Sequence, residues 1–224
     1  LAPGSYMKGH GARCERMARY WDTTYRIDGD HTEDYFKNDL RVLLDDSVRL
    51  QLRSDVPVGT YLSGGLDSSL VTMLAAGHTN GSIKTFNGKF DEGPEYDESH
   101  YARIVSDASN SEMFSVTPTA EDFIEDLPKL IYALDEPMGG PGLFPQYRVS
   151  KLAAGHVKVI LGGQGGDELF GGYARYLLGY LEQALKGAIM QTQEEGQHGV
   201  TRASHLTQLP LLAPARALDQ RFRE

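Results

Sequence analysis

The sequence predicts an α/β fold with an open parallel sheet flanked by helices. Short apolar runs that end at glycines alternate with longer segments whose apolar residues recur at helical spacing. Two of these runs, residues 58–62 and 157–161, lead directly into the glycine-rich segments 63–65 and 162–166. Parallel strands joined by crossover helices bind ligands beyond their carboxyl ends. We therefore expect both glycine loops at one edge of the sheet.

The amino-terminal part differs from the alternating pattern. Residues 1–30 contain a Gly9-His10-Gly11 turn between polar and aromatic stretches, which predicts a short hairpin and an extended arm. Thr32 begins a helix with apolar residues on one face through Val48. The helix should end near Asp55, because Pro57 disfavours helical geometry in the residue before it.

The remaining elements follow in order along the chain. We expect strands at 58–62, 83–88, 112–116 and 157–161, with helices ending at 77 and 105 and others over 119–134, 144–154 and 170–185. Residues 135–142 are rich in glycine and proline, a composition found in pocket-lining loops and, more often, in linkers. Residues 191–205 lack apolar periodicity and predict a mobile loop.

Composition limits the partners. A formal charge of −9 and a pI near 5.3 argue against nucleic-acid or anionic-membrane binding and favour small molecules and protein. Cys14 is the only cysteine, so no internal disulfide can form and a reducing compartment, the cytoplasm, is expected. No apolar stretch approaches the roughly 20 residues of a membrane span.

The segment Ser63-Gly64-Gly65-Leu66-Asp67-Ser68-Ser69 has the features of an anion site. Its two glycines allow a sharp turn and close ligand approach, and the free N–H groups of the following helix point at the ligand. A Walker A loop is excluded because no lysine is present. The carboxylate of Asp67 beside phosphate implies a bridging cation, most simply Mg²⁺. The alternative is that Ser63, Asp67 and Ser68 only cap a helix.

Asp167 follows the second glycine loop as Asp67 follows the turn of the first. Because both loops are expected at the same sheet edge, the two carboxylates can converge on one cation. Mg²⁺ is commonly held by few protein oxygens together with substrate phosphates. The alternative for Asp167, and for Glu168 beside it, is an ordinary acid at a helix amino terminus.

The first segment resembles the pyrophosphate loop of the ATP pyrophosphatases. In the form Leu-Ser-Gly-Gly-Leu-Asp-Ser-Ser it is most similar to the synthetase domain of glutamine-hydrolysing asparagine synthetases, and residues 161–173, Leu-Gly-Gly-Gln-Gly-Gly-Asp-Glu-Leu-Phe-Gly-Gly-Tyr, resemble that family's other signature. Residues 1–22 resemble the junction that follows the family's glutaminase domain. The resemblance implies a fold of the adenine-nucleotide alpha-hydrolase (ATP pyrophosphatase) type.

The same resemblance implies a domain division. Residues 1–30 would be the remnant of the glutaminase-domain end and its linker, and 31–224 the synthetase domain. We expect that both ends were cut from a longer chain, because the first residue is Leu1 and not methionine, and because the family's later segments, including a downstream lysine, have no counterpart before Glu224.

By resemblance, ATP and Mg²⁺ are the cofactors, and the side-chain carboxylate of aspartate, or a similar carboxylate, attacks the α-phosphorus. Pyrophosphate leaves from the first loop, and ammonia from an upstream glutaminase displaces AMP to give asparagine. A homodimer is a further expected partner arrangement. The expected nucleotide-binding residues, with Gly88 beside adenine, are Leu62, Ser63, Gly64, Gly65, Asp67, Ser68, Ser69, Gly88, Gly162 and Gly163.

One position departs from the family signature. Where asparagine synthetases usually have Gly-Glu-Gly, this chain has Gly163-Gln164-Gly165, and the family glutamate is assigned to help the nitrogen nucleophile lose its proton. The Gln164 amide does not titrate near neutral pH. Glu136, with Asp135 beside it, is the nearest candidate by sequence for a replacement base.

Two other functions stay open. The chain could belong to an ATP pyrophosphatase that activates another carboxylate or carbonyl, such as an amidotransferase or amide synthetase. It could also be a catalytically silent synthetase-like domain that binds nucleotide or a partner.

Overall fold

A computed structural model describes residues 1–23, 28–91, 93, 97–135, 140 and 142–190. The described residues divide into two compact units, one that contains residues 1–33 and those from 178 onward, and one that contains Asp34–Leu177. Among the described residues, no helix is both long enough and apolar enough to cross a membrane.

The first unit contains the hairpin that the sequence predicts. β1 (Ser5–His10) pairs antiparallel with β2 (Arg13–Arg19), and the register shifts between Lys8 and Gly9. Beyond the hairpin, the backbone N–H groups of Tyr20 and Trp21 both donate to the Gly4 carbonyl, at 2.8 and 3.1 Å. These bonds hold the start of the arm against the residue that precedes β1.

The second unit contains a four-stranded parallel sheet. Its strands are β3 (Val58–Tyr61), β4 (Lys84–Gly88), β5 (Glu112–Val116) and β6 (Val159–Leu161), in the spatial order β5-β4-β3-β6. Every pairing in this sheet is parallel. Because the order places β3 between β4 and β6, the first glycine loop leaves the middle of the sheet. The predicted fold class, an open parallel sheet flanked by helices, is confirmed.

Helices connect the strands and follow them. They are α1 (Glu33–Gln51), α2 (Leu66–Gly77), α3 (Ser99–Ala108), α4 (Ala120–Leu134), α5 (Leu143–Ala154), α6 (Gly166–Phe170) and α7 (Ala174–Met190). The prediction of one helix over 170–185 is wrong at its start. Gly171 takes a left-handed conformation, φ 72°, which ends α6 and separates it from α7. The expected mobile loop at 191–205 lies outside the described residues.

Two apolar clusters form the core of the second unit. One contains Val48, Ala75, Ile83 and Leu161, and the other contains Phe86, Val149, Ala153 and Val157. The apolar face predicted for α1 is only partly buried: Val48 is 6% exposed, whereas Leu43 is 60% exposed. The helix also ends four residues before the expected Asp55, at Gln51.

Candidate functional site

A cavity of about 470 Å³ opens at the carboxyl edge of the sheet, between the two glycine loops. The register of the central strands explains why the loops meet, because Thr60 of β3 lies opposite Leu161 of β6. The backbone therefore leaves β3 and β6 at about the same level of the sheet. The cavity is lined by Tyr61, Ser63, Gly65, Leu66, Asp67, Ser68, Gly163, Gln164, Gly165, Asp167, Glu168 and Tyr173.

The first loop is held by hydrogen bonds among its own residues. The Ser63 backbone N–H donates to Ser68 Oγ at 3.2 Å, and the Gly65 N–H donates to Ser63 Oγ at 3.2 Å. The hydroxyls of Ser68 and Ser69 both donate to the Gly65 carbonyl, at 3.1 and 2.7 Å. The two hydroxyls of Ser63 and Ser68 lie 2.9 Å apart. Hydrogen bonds within the loop therefore define its conformation.

These bonds bear on the alternative that the polar residues only cap a helix. The residue before α2 is Gly65, and no side chain caps the helix. The serines instead bond within the turn, so the first N–H groups of α2 keep no partner inside the helix. The N–H groups at the start of α2, rather than the serine hydroxyls, are therefore the donors available to an anion.

Residues of β4 and α2 support the loop from below. Leu62 is fully buried; its N–H donates to the Phe86 carbonyl at 2.9 Å, and its carbonyl accepts from Asn87 Nδ2 at 2.7 Å. On the other side of the loop, Thr72 Oγ1 donates to Thr60 Oγ1 at 2.9 Å within the core. The start of the loop and its helix are thus both bonded to the sheet.

The second loop is built differently. Gly165 takes a positive φ of 99°, and the Gly166 N–H donates to the Gly163 carbonyl at 3.2 Å. A Cβ atom at Gly162 would lie 2.3 Å from Oε1 of Gln164, so the Gln164 side chain folds back over Gly162. Its amide lies in the cavity wall.

Asp67 and Asp167 both line the cavity. Within the described part of the chain, neither makes a side-chain hydrogen bond or an ion pair, and no group of three or more metal-ligating side chains occurs there. Two carboxylates without a side-chain partner among the described residues fit a cation that takes its other ligands from phosphate and water. That donor set suits Mg²⁺.

A third carboxylate in the cavity wall has a partner. Tyr173 Oη donates to Glu168 Oε1 at 2.8 Å, and this hydrogen bond lowers the pKa of Glu168 and raises the pKa of Tyr173. The Arg175 guanidinium carbon lies 4.0 Å from the centroid of the Tyr173 ring. Glu168 is therefore a charged wall residue whose carboxylate is oriented by its neighbour.

The structure brings together most, but not all, of the predicted site residues. Leu62 lies beneath the loop, and Gly64, Ser69 and Gly162 belong to the loops without lining the cavity. Gly88 ends β4 outside the cavity wall, where a Cβ atom would lie 3.2 Å from Val149 Cγ2.

The replacement bases expected from the sequence are Glu136 and Asp135. Asp135 follows α4 and does not line the cavity, and Glu136 lies outside the described residues. The cavity also contains residues that sequence reasoning missed as site residues, Tyr61, Leu66, Gly165, Glu168 and Tyr173. Tyr61 could have been found as the last residue of the strand that leads into the first loop.

The fold and cavity define a parallel α/β protein with its ligand site beyond the strand ends. The chain belongs to the asparagine synthase family, whose sequence profile matches residues 39–223. The resemblance of the two glycine motifs to asparagine synthetases is thereby confirmed.

Individual relatives agree with this assignment. The chain is 40% identical over 144 residues to asparagine synthetase [glutamine-hydrolyzing] 1 of Bacillus subtilis, covering 64% of this chain and 22% of that protein. It is 45% identical over 139 residues to putative asparagine synthetase [glutamine-hydrolyzing] 2 of Methanocaldococcus jannaschii, covering 62% and 27%. Amidase chry2 of Gibberella zeae is 31% identical over 192 residues, covering 77% and 28%. The chain thus spans about a quarter of the length of these relatives.

Proposed function

We propose that this chain carries the ATP-cleaving centre of an asparagine synthetase-type ligase. The observation that supports the proposal is the meeting of two glycine loops around one cavity that contains Asp67 and Asp167, whose carboxylates have no partner among the described residues. In this proposal the first loop holds the pyrophosphate portion of ATP through the N–H groups at the start of α2. The centre would belong to the ATP pyrophosphatase class, with residues 31–224 as synthetase domain and 1–30 as the end of a glutaminase domain and linker.

Asp67 and Asp167 would hold Mg²⁺, which supplies charge neutralisation for the phosphates when it is bound. The chain's own residues contribute positioning. The hydrogen bonds between Ser63 and Ser68 fix the turn, so that the N–H groups at the start of α2 are the donors to the leaving pyrophosphate. Two further proposed nucleotide contacts line the cavity, Gly65 and Gly163. The others stay proposals although they do not line it: Leu62, Gly64, Ser69, Gly88 and Gly162.

The proposed reaction activates a carboxylate as an acyl-adenylate. An oxygen of the aspartate side chain, or of a similar acid, attacks the α-phosphorus and pyrophosphate leaves. Ammonia then attacks the activated carbonyl carbon, AMP leaves, and the nitrogen gives up a proton to form the amide. We propose the cytoplasm as the site of this reaction, and a glutaminase domain as the source of the ammonia.

Exchange of labelled pyrophosphate into ATP tests the activation step directly. We expect exchange that needs Mg²⁺ and a carboxylic acid, with aspartate the best acid in a panel that includes glutamate, β-alanine and longer acids. Exchange that occurs only with an acid other than aspartate would indicate that the chain belongs to another amide synthetase. Nucleotide binding without exchange with any acid would indicate a silent domain.

Gln164 gives the proposal a second, sharper test. A glutamine in the cavity wall cannot accept the proton of the attacking nitrogen, and a missing general base costs roughly 10²- to 10⁴-fold. We therefore propose that adenylation is retained while amide formation with free ammonia is slower than pyrophosphate release. Glu136 is the proposed replacement base for whatever amide transfer occurs.

The substitution Gln164→Glu should narrow the gap between the two rates, and Gln164→Asn, which cannot take up a proton either, is the matched control. Equal rates of pyrophosphate release and asparagine formation in the wild type would make Gln164 a neutral change. Gln164 also favours a second candidate function, transfer of the activated acyl group to an acceptor other than ammonia. A panel of amine acceptors separates the two functions.

A further inference from the structure

The two glycine loops touch at Gly163 and Gly166, which face Asp67 of the first loop. A Cβ atom at Gly163 would lie 2.7 Å from the Ser68 backbone nitrogen and 2.8 Å from the Asp67 carbonyl carbon. A Cβ atom at Gly166 would lie 2.2 Å from Oδ2 of Asp67. Atoms in folded proteins are not packed at such distances, so only glycine fits at both positions while the loops keep this arrangement.

Backbone conformation does not explain these two glycines. Gly64, Gly165 and Gly171 have positive φ angles, but Gly163 and Gly166 do not. Alanine could therefore adopt the backbone conformation of either residue without strain. The requirement for glycine at these two positions comes from the close approach of the first loop.

The two contacts differ in what a side chain would displace. At Gly163 the obstacle is the backbone of the first turn of α2, which the Ser68 hydroxyl bonds to the rest of the loop. A methyl group there would force the loops apart. At Gly166 the obstacle is the carboxylate group of Asp67, the end of a short side chain that can rotate.

We propose that Gly163 and Gly166 are positioning residues for the cation site. Gly163 sets the separation of the two loops, and Gly166 leaves the space in which the Asp67 carboxylate lies. This inference rests on the proposed function, in which Asp67 and Asp167 share a cation. It adds that the second loop determines where the Asp67 carboxylate, the proposed cation ligand of the first loop, can lie.

Three alanine substitutions in the full chain test the inference. Gly77→Ala is the matched control, because Gly77 ends α2 without a positive φ and a Cβ atom there would meet nothing within 4 Å. ATP affinity is measured by calorimetry with Mg²⁺ and again with EDTA. Gly166→Ala should lower the affinity about tenfold in Mg²⁺ and leave it unchanged in EDTA, since supporting groups of metal ligands typically contribute 10- to 100-fold.

Gly163→Ala should lower ATP affinity in both conditions, and Gly77→Ala in neither. A second measurement isolates the contact: in an Asp67→Ala background, Gly166→Ala should have no further effect, because the obstructing carboxylate is gone. If Gly163→Ala does not fold, Gly166→Ala in the wild-type and in the Asp67→Ala background still tests the positioning role.

Two results distinguish a failure of the positioning role from a failure of the proposed cation site. Equal Mg²⁺-dependent affinity in Gly166→Ala and Gly77→Ala, with a wild type that depends on Mg²⁺, would overturn the positioning role and leave the proposed function standing. A wild type that binds ATP equally with Mg²⁺ and EDTA would overturn the proposed cation site, and the positioning role with it.

Discussion

Aspartates occur in two contrasting settings in the second unit of this chain. Asp126 of α4 is 1% exposed, and its carboxylate accepts from Arg148 Nη1 at 2.9 Å and from Lys129 Nζ at 3.2 Å. Asp67 and Asp167, in the cavity between the glycine loops, have no side-chain partner among the described residues. Removing one partner of a buried ion pair destabilises the fold, whereas unpaired carboxylates in a cavity are available to a ligand.

The structural role of Asp126 follows from where its partners lie. Lys129 is on the same helix, but Arg148 is on α5, and Arg148 Nη2 also lies 3.1 Å from Asp122 Oδ1. The cluster therefore joins α4 to α5. No such connection depends on Asp67 or Asp167, so the two kinds of aspartate should separate cleanly under substitution.

The largest effect is expected on ligand binding. Asp67→Asn should weaken Mg²⁺-dependent ATP binding by roughly 100-fold, at the upper end of losses for groups that hold a metal. The free energy of unfolding should change by less than about 0.5 kcal/mol, because no protein partner is lost. Calorimetric titration and urea unfolding measure the two quantities. Asp167→Asn should behave in the same way, and unchanged ATP affinity in both variants would count against a shared ion.

Asp126→Asn should show the opposite pattern. The half-buried Arg148 guanidinium would face a neutral partner, so the melting temperature should fall by several degrees, while ATP affinity in Mg²⁺ should match that of the wild type. Asp45→Asn, on an exposed aspartate of α1 that pairs with His78 at 2.8 Å, is the control for an exposed pair. A loss of Mg²⁺ dependence in Asp126→Asn would remove the distinction between the two settings.

The pH dependence of stability provides a further test of the Asp126 cluster. The Arg148 hydrogen bond, together with Lys129, holds the pKa of Asp126 below its usual value of about 3.9. Such a group contributes stability above the unfolded pKa, and that contribution is lost as the pH falls through the lowered folded value. The stability difference between wild type and Asp126→Asn should therefore be constant from pH 7 to about 5 and shrink below about 4. A difference that grows on acidification would contradict the assigned direction.

A smaller effect is expected from the bonded turn of the first loop. Ser68→Ala removes the acceptor of the Ser63 N–H and the donor to the Gly65 carbonyl, which should cost about 1–2 kcal/mol of stability. ATP affinity should fall about tenfold in both Mg²⁺ and EDTA, since phosphate positioning, and not the cation, is disturbed. Ser69→Ala loses a single bond to the same carbonyl and should have the smaller effect of the two. Equal losses would indicate that the Ser68 network does not shape the loop.

The sequence allowed the sheet and the meeting of the loops to be predicted, because apolar runs and the glycines that end them are local signals and parallel strands end at one edge of a sheet. Asp67 and Asp167 could be placed in one cavity for the same reason. The Asp126 cluster could not be found this way, since Arg148 lies 22 residues further along the chain and only packing of α4 on α5 brings it close. The break at Gly171 was missed because a glycine within an apolar helical pattern does not reveal its φ.

A crystal structure of the chain with ATP and Mg²⁺ tests the central claim most directly. We expect the β- and γ-phosphates against residues 63–69, and a cation about 2.0–2.1 Å from a carboxylate oxygen of Asp67 or Asp167. Phosphates bound away from the first glycine loop, or a cation held by neither carboxylate, would contradict it.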